Sequence, residues 1–525
     1  MGVPPMSSAT RTGTVGSAET CQHVSRGIAM AELLTRSTEA ARNDVVLAAP
    51  PQRIALRTWV ALAILCLGAF LVVLDTTIVN IAIPSIMTGL HSSLDQVLWV
   101  LNAYTLVYAA LLITGGRLGD LYGPRRLLIV GIVIFGAASI ACALAPSAGI
   151  LITARVLQGV GGALMTPQTL AMIPLIMPPN RRGRAIGLWS GSAGLAAAVG
   201  PSLGGVLVTT ASWRWVFLVN VPVGIVVIAG AYGLLPGVAS GRRHRLDIGG
   251  IALASLGLLA VVFGLVEGQR FAWGTITGPI TIPAVMAAGV VLLAAFVAWE
   301  RRQPEPLLPP ALFASRSFAL SAWVIFVIQT VMLAFIVVAG LFFQSAIRMT
   351  ALDAGLALAP MPLALMFVAP LAGRLAERVD IKFILMGAIL VAAAGVGWLV
   401  ASVSTTATSA TFIPPLLVTG AGLGCGFAVV MTVGMRGIAP QVAGAASGVL
   451  NTFRQVGGAM GGAIAVALLQ SRLSLIGPAQ MGAHSLDYAT TFVGAFRAAL
   501  VVPMLLLLFA ALSCLLLKPR TAPPG

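Results

Sequence analysis

The stretch FLVVLDTTIVNIAIPSI, residues 70–86, places a carboxylate in an apolar surrounding. Asp75 stands among large hydrophobic residues, with Thr76, Thr77 and Asn80 close by in the sequence. Because an isolated charge is costly to bury, an aspartate here must be hydrated, paired, protonated or functional. One chemistry open to it is reversible proton uptake, which an apolar environment favours and a nearby cation opposes.

A second charged residue lies in a comparable apolar run. Arg155 begins the stretch RVLQGVGGA, residues 155–163, and Gln158 follows it by about one helical turn. If both runs cross a membrane, the depths of Asp75 and Arg155 overlap, and both lie in the outer half of the bilayer. The two side chains can then pair directly or through Gln158 and water. We expect Asp75 and Arg155 to form a proton-coupling site; the alternative is a static structural ion pair.

The elements that position these residues follow from composition. Of 525 residues, 58% are hydrophobic and 9% are charged, and the mean hydropathy is +1.00. Apolar runs of about 20 residues, the length of a membrane-spanning helix, recur along the chain. The sequence therefore predicts an all-α membrane protein with fourteen transmembrane helices, near residues 57–80, 96–115, 126–145, 149–172, 184–209, 215–235, 248–266, 280–299, 317–344, 352–374, 382–402, 412–434, 442–469 and 496–517.

The net charge of +16 is explained by topology, so nucleic acid is not an expected partner. With both termini in the cytoplasm, most arginines and lysines fall in inward loops, and the outward loops hold Arg214, Arg270, Arg348 and Arg472. This asymmetry is the positive-inside pattern of multi-pass proteins. We expect the protein to lie in the cell membrane, in contact with the lipid bilayer.

Several chemistries find no support in the sequence. The five cysteines have no metal-ligand or redox spacing, and there is no P-loop for ATP. We therefore expect no metal, no cofactor and no enzymatic activity. Residues 1–55 are polar and lack the features of a signal peptide, which predicts a disordered cytoplasmic tail.

Two internal matches indicate a repeat. GRLGDLYGPRR (116–126) resembles GRLAERVDIK (373–382), and PNRRGRAIG (179–187) resembles PQVAGAASG (440–448). Parallel repeats of this kind place a substrate site between two halves, near the middle of the bilayer. The predicted organisation is a first six-helix bundle (56–236), two additional helices (237–303), a second six-helix bundle (304–518) and a short tail (519–525).

These motifs carry a resemblance to a known family. LDTTIVNIAIP (74–84), GRLGDLYGPRR, RVLQGVGGA, GLWSGSAGLAAAVGPSLGG (187–205) and WRWVFLVNVPVG (213–224) are similar to signatures of the fourteen-helix drug:proton antiporters of the major facilitator superfamily. The resemblance implies the major facilitator fold and proton-driven efflux by alternating access. The implied substrates are small amphipathic, often cationic compounds, carried by a protein that functions as a monomer.

The first loop motif predicts a conformational latch. Gly116 and Gly119 would allow close approach in a tight turn, and Asp120 can accept charge-assisted bonds from an arginine or a helix N-terminus. Arginines of the motif can reach the negative ends of helices. The latch residues are Gly116, Arg117, Gly119, Asp120, Gly123, Arg125 and Arg126. The alternative is that these arginines only set the topology.

Glycines in the fifth span predict close helix packing, and Pro201 there removes a backbone donor. By resemblance this is the antiporter motif, which would favour exchange over leak. Its residues are Gly191, Gly194, Gly200, Pro201, Gly204 and Gly205.

Polar residues inside other spans are candidates for lining a substrate cavity. Arg454 is unusual because it stands near the middle of the thirteenth span, where the repeat aligns it with Ala193. Asp247 precedes the seventh span and is better explained as a helix cap. The cavity candidates are Asn102, Tyr104, Gln158, Gln168, Gln329, Gln344 and Arg454.

The sequence thus predicts a proton-driven efflux transporter. The first alternative is a dedicated exporter of one metabolite, such as an antibiotic made by the same cell. A uniporter, a symporter and a non-transporting membrane sensor are less favoured, because the antiporter motif is present and no soluble signalling domain is seen.

Overall fold

The computed structural model describes residues 55–237, 247–303, 306–308, 311–345, 347, 349, 351–376, 379–404, 409–473 and 486–517. The predicted terminal tails, 1–55 and 519–525, lie outside these ranges, apart from residue 55. By their contacts, Met1–Leu56 and Arg57–Gly525 form two separate units. The second unit contains the described helices, except for Leu56 itself.

Within the described ranges, 14 helices are long and apolar enough to cross a membrane, which confirms the predicted number. The main helix of each span is, in chain order, α1 (Leu56–Leu90), α2 (Leu94–Tyr122), α3 (Pro124–Leu144), α4 (Ala148–Ala171), α5 (Arg182–Thr210), α6 (Asn220–Leu234), α7 (Ile248–Glu267), α8 (Ile282–Glu300), α9 (Arg316–Ser345), α10 (Pro360–Leu375), α11 (Ile381–Ser402), α12 (Ser409–Gly434), α13 (Ala443–Leu473) and α14 (Leu486–Ser513).

Short elements connect these helices. A two-stranded antiparallel hairpin, β1 (Thr275–Thr277) and β2 (Ile280–Thr281), joins α7 to α8. The single helical turns are Ile173–Ile176, Trp215–Leu218 and Ala311–Ala314, and the two-turn helix Ala351–Leu358 precedes α10. Short 3₁₀ turns occupy Pro179–Arg181, Pro440–Val442 and Cys514–Leu516.

Several helices begin at caps that can be read from the sequence. Ser93 and Gln96 form a reciprocal capping box at the start of α2. The Asp247 carboxylate accepts the backbone N–H of Gly250 at 2.9 Å, so the prediction of a helix cap is confirmed. Asp247 also accepts from the Trp299 indole, which ties α7 to α8.

The helices pack in two groups, with α7 and α8 beside them. In the first bundle α4 packs on α2 and α3, and α3 packs on α6; in the second bundle α9 packs on α13, and α12 packs on α10 and α11. The pairs α2–α13 and α5–α10 join the two bundles. The additional helix α7 contacts both α2 and α13, and so covers the seam between the bundles.

The predicted tight turn at Gly116 and Gly119 is wrong. Helix α2 continues to Tyr122, seven residues beyond the predicted end, so both glycines are helical. The turn is at Gly123, whose φ of 93° is a conformation that glycine adopts without strain. The polar motif GRLGD continues as helix because its small residues pack against other helices and Asp120 finds partners there, as described below.

Candidate functional site

Asp75 and Arg155 form a buried ion pair. Asp75 lies in α1 and Arg155 in α4, and Arg155 Nη1 is 2.5 Å from Asp75 Oδ2. Their side chains are 0% and 1% exposed. Of the two arrangements that the sequence allowed, direct pairing is present, and both side chains are buried in this conformation.

Neutral amides complete the hydrogen bonding of the carboxylate. Gln158 Nε2 and Asn220 Nδ2 donate to Asp75 Oδ1 at 2.7 and 2.8 Å. Gln158 also accepts from Arg155 Nη1 at 2.6 Å and donates to Ser139 Oγ at 2.9 Å. The cluster thus joins α1, α3, α4 and α6, and it satisfies a charge that would otherwise be costly to bury.

The guanidinium of Arg155 is enclosed on its other sides. Its Nε donates to the carbonyl oxygen of Val100 at 3.0 Å. Its central carbon lies 4.2 Å from the centre of the Tyr104 ring and 5.9 Å from that of Phe217, which are cation–π distances. The arrangement is a carboxylate and a guanidinium that compensate each other's charge in a buried setting.

Asn220 and Ser139 were missed by the sequence analysis. Asn220 belongs to the motif WRWVFLVNVPVG, but that motif gives no indication of which helix the amide faces. A polar residue at the start of an apolar run was the available signal. Ser139 gave a weaker signal, because a serine inside a helix ordinarily bonds its own backbone. Its hydroxyl also does so here, to the carbonyl oxygen of Phe135.

Asp120 bonds across the two bundles. Its Oδ1 accepts the backbone N–H of Gly444 at 2.7 Å, and its Oδ2 accepts that of Ala445 at 2.8 Å. Both amides belong to the first turn of α13, where a helix presents unpaired N–H groups and partial positive charge. A carboxylate in this position is a charge-assisted link between α2 and α13.

Glycines bring the same helices into close contact, and the contacts follow the repeat. A side chain at Gly116 would overlap the backbone of Gly444, and one at Gly373 would overlap the backbone of Gly183. The sequence matches align Gly116 with Gly373 and Gly183 with Gly444. The α2–α13 and α5–α10 contacts are therefore equivalent by the internal repeat.

The latch arginines differ in their contacts. Arg125 donates to the Tyr232 carbonyl oxygen at 2.7 Å near the end of α6, as expected of a cation at a helix C-terminus. Arg126 is exposed and Arg117 half-buried. Within the described part of the chain neither donates a hydrogen bond to a helix end, so the expectation that all three do so is wrong. The long side chain of Arg126 reaches solvent instead.

The glycines of α5 fall into two sets. Gly187, Gly191 and Gly194 face α10, and side chains there would crowd Ala369, Met366 and Leu365. Gly200 and Gly204 face α1, against Thr77 and Ile78, next to Asp75 in the chain. Gly205 has nothing within 4 Å of the position a side chain would take, so its expected role in close packing is wrong. Pro201 lies inside α5, between Gly200 and Gly204.

The candidate cavity residues are not all in one place. Gln158 and Tyr104 belong to the buried Asp75 cluster, as described above. Gln168 is fully buried, donates to the carbonyl oxygen of Gly115 at 2.8 Å, and packs beneath Gly119. It therefore fills a helix contact in this conformation. Gln329 is half-buried on α9, and the side chain of Gln344 lies outside the described residues.

Asn102 lies in a second polar cluster, at the start of α2. Its Nδ2 donates to Glu267 Oε1 at 2.6 Å, and Glu267, which is 2% exposed, ends α7. Arg270 bridges Glu267 at 3.3 Å and Asp95 at 3.1 Å. Glu267 was not predicted from the sequence, because a carboxylate at a helix end is ordinarily solvated. The cluster attaches the additional helices to the first bundle.

Arg454 contacts the first bundle from α13. Its Nη2 lies 3.4 Å from the Tyr108 hydroxyl, and its Nε lies 3.3 Å from Asn451 Oδ1. Tyr108 stacks on Tyr104 at 5.6 Å between ring centres and with planes 7° apart. Arg155 and Arg454 are thus joined through a pair of tyrosines.

Comparison with known proteins identifies the class of this fold. The sequence profile of the Major Facilitator Superfamily matches residues 65–462. The chain is 35% identical over 473 residues to the puromycin resistance protein of Streptomyces alboniger, covering 89% of this chain and 92% of that protein. It is 36% identical to the tetracenomycin C resistance and export protein of Streptomyces glaucescens, with 80% and 78% covered. A multidrug resistance protein of Mycobacterium tuberculosis is 32% identical, with 78% and 75% covered.

Solved structures agree with the fold. The proton:xylose symporter XylE superposes with a TM-score of 0.57 at 13% identity, covering 86% of this chain and 95% of that chain. The human organic anion transporter MFSD10 also superposes with a TM-score of 0.57, at 14% identity, covering 87% and 100%.

The chain belongs to the Major Facilitator Superfamily. It is a multi-pass membrane protein and a transporter rather than an enzyme, and its relatives are drug and antibiotic resistance and export proteins.

Proposed function

We propose that the protein is a proton-driven exporter of small amphipathic compounds, a drug:proton antiporter that works by alternating access. The observation that carries this proposal is the fully buried Asp75–Arg155 pair, whose carboxylate is held by Gln158 and Asn220. A carboxylate in this setting can take up a proton from one side of the membrane and release it to the other side once its helices move. One proton crossing 100 mV supplies about 2.3 kcal/mol for export.

The contacts between the bundles support alternating access. Asp120 links α2 to the start of α13, and glycine contacts bring α2 to α13 and α5 to α10 near the same end of the helices. In our proposal these contacts are the latch that closes one end of the transport path while the other is open. Breaking them lets the bundles rock and exposes the opposite side.

The finer points of organisation are also proposals. We take residues 56–236 and 304–518 as the moving bundles, with the pair at 237–303 between them. The placement of arginines supports cytoplasmic termini in the cell membrane, since inward loops carry most of the positive charge. We take the monomer as the working unit, because one chain supplies both bundles and the complete Asp75 cluster.

The names of the relatives support a substrate of the drug or antibiotic kind. They include a protein named for resistance to puromycin and one named for resistance to and export of tetracenomycin C. A panel of such compounds distinguishes a broad exporter from one dedicated to a single metabolite. Transport of several unrelated members indicates the former.

The proposal is tested in vesicles that contain only the purified protein. With a proton gradient imposed and a pH-sensitive dye trapped inside, each substrate that moves should be exchanged for protons, and collapsing the gradient should stop it. Asp75→Asn vesicles provide the control. Substrate movement without any proton flux, or at the same rate after the gradient is collapsed, would exclude a proton antiporter.

A further inference from the structure

Arg454 lies on the part of α13 that meets the first bundle. It stands in the middle part of α13, and its guanidinium reaches the Tyr108 hydroxyl on α2. One turn further along α13, Gly457 packs against Phe326 and Gly458 against Gln329, both on α9. Arg454 is therefore placed between α2 of the first bundle and α9 of the second, where the two bundles face each other.

Among the residues that the structure describes, no carboxylate forms an ion pair with Arg454, so its charge lacks a close counter-ion there. Its hydrogen-bond partners are neutral, a phenol and an amide. The ion pairs of the described residues include those of Arg155 with Asp75 and of Arg270 with Asp95 and Glu267. Arg155, also inside a spanning helix, has the carboxylate of Asp75 as its partner, whereas no described carboxylate pairs with Arg454. A half-buried cation inside a spanning helix, without a counter-ion, is best explained by a group that comes and goes.

The groups around Arg454 leave its donors available. Tyr108 directs its hydroxyl hydrogen to Thr166 at 3.3 Å, and Asn451 Nδ2 donates to the Ser447 carbonyl oxygen at 3.0 Å. A guanidinium carries five N–H donors in a planar fork, and two long contacts occupy only part of them. The remaining donors match a carboxylate, which such a fork binds in a bidentate manner, or the single oxygen of a phenolate.

We propose that Arg454, with Tyr108 and Gln329 beside it, forms a subsite for an acidic group of the exported compound. This rests on the proposed export function and specifies its substrate class: amphipathic compounds with a carboxylate or an acidic phenol. A purely cationic compound is repelled by Arg454, whereas a zwitterion can place its acidic end there. An anionic group carried outward also moves with an inside-negative membrane potential.

Arg454 recognises a charge rather than one compound, so a matched dye pair is the appropriate probe. A rhodamine with a free benzoate is a zwitterion, and its methyl ester is the corresponding cation. Binding of each dye is measured by fluorescence polarisation with purified protein in phosphatidylcholine nanodiscs. The quantity compared is the ratio of the two dissociation constants, ester over acid, which cancels the shared contribution of the ring system.

We expect the ratio to fall about tenfold in Arg454→Ala and by less in Arg454→Lys, because lysine keeps the charge but lacks the fork. Arg436→Ala is the matched control, since Arg436 lies in the same bundle but is exposed. If Arg454→Ala fails to fold, Arg454→Gln replaces it, because its amide can still bond Asn451. A ratio within twofold of wild type in the folded Arg454 variant overturns the subsite. The subsite is also overturned if the ratio falls equally in Arg436→Ala, or if the wild-type protein does not bind the acid dye.

Two further measurements test a lipid occupant and the export function separately. Nanodiscs with added phosphatidylglycerol test whether a lipid phosphate occupies the subsite. If the added lipid removes the preference for the acid dye, and does so only in protein that has Arg454, the site is assigned to lipid and the substrate role is overturned. Proton-driven transport of the dyes is measured in vesicles. An Arg454-dependent preference without proton-driven movement contradicts the export function alone, and proton-driven movement with an unchanged ratio contradicts the subsite alone.

Discussion

Asn220 of α6 donates a hydrogen bond of 2.8 Å to the Asp75 carboxylate of α1, although 145 residues separate them in the chain. Its amide also lies 3.4 Å from Ser139 Oγ on α3. Asn220 is thus the contact through which α6 supports the ion pair, and it acts on Asp75 rather than on Arg155. A hydrogen bond to a charged group contributes more than one between neutral groups.

Replacing Asn220 should weaken the first bundle. In Asn220→Ala the Asp75 carboxylate loses one of its donors, which costs about 1.5–3 kcal/mol of stability. The measurement is the thermal unfolding midpoint of the purified protein in detergent. Asn80→Ala is the control, because Asn80 is exposed and bonds only its own helix at Thr76, so its loss should cost less than about 0.5 kcal/mol. Equal shifts in the two variants would show that the Asn220 bond is not important.

Removing the carboxylate should abolish coupling and also destabilise the protein. Asp75→Asn cannot release a proton, so we expect inserted protein whose proton-driven efflux is at background in the vesicle assay. Because Arg155 is then left buried without its counter-ion, stability should fall by about 3–5 kcal/mol. The double variant Asp75→Asn/Arg155→Gln removes both charges and should recover stability without recovering efflux. Wild-type transport by well-expressed Asp75→Asn would contradict the coupling role.

Weakening the link between the bundles should change the conformational balance. In Asp120→Asn one of the two amide bonds and the negative charge are lost, at a cost of about 1.5–3 kcal/mol, or roughly a tenfold or larger shift in the conformational equilibrium. We expect slower turnover with substrate binding retained, and a wider distance between spin labels on the loops that flank α2 and α13. Asp95→Asn, in a largely exposed ion pair, is the control. Unchanged turnover across several substrates would contradict a latch role for Asp120.

Two glycines of α5 give a sharper test of the α5–α10 contact. A methyl group at Gly187 would lie 2.6 Å from the Ala369 carbonyl oxygen, so Gly187→Ala forces the backbones of the two bundles apart. We expect Gly187→Ala to slow transport several-fold while the protein remains folded. Gly205→Ala adds the same methyl group to the same helix in open space and should transport at the wild-type rate. The opposite ranking of the two variants would show that this contact does not limit transport.

The sequence predicts what depends on composition and on matches within the chain. Long apolar runs fix the number of spans, and the aligned glycines at Gly116 and Gly373 anticipate two equivalent helix contacts. The Asp75–Arg155 pair was predictable because few charges are available at that depth, and pairing relieves the cost of burying both.

The sequence does not predict which direction a side chain takes around its helix. Asn220 and Ser139 join Asp75 because of how four helices are rotated, and those rotations follow from packing among many neighbours. Helix ends are also set by tertiary contacts: α2 continues through Arg117 and Asp120, since Gly444 and Ala445 of another bundle satisfy the carboxylate. Direction around the helix also explains why Gly205, identical in type to Gly204, makes no close contact.

The Asp75–Arg155 pair also constrains how the chain is made. Arg155 is synthesised 80 residues after Asp75, and Asn220 a further two spans later. At about 5–20 residues per second, α1 waits roughly 4–16 s for its partner. During that time the insertion machinery has to tolerate an aspartate, which costs about 2.5–3.5 kcal/mol at the centre of a span and less in the outer half. The many leucines, isoleucines and valines of α1 offset that cost at about 0.3–0.6 kcal/mol each. The apolar excess of α1 is therefore a requirement of biogenesis, separate from its packing in the finished transporter.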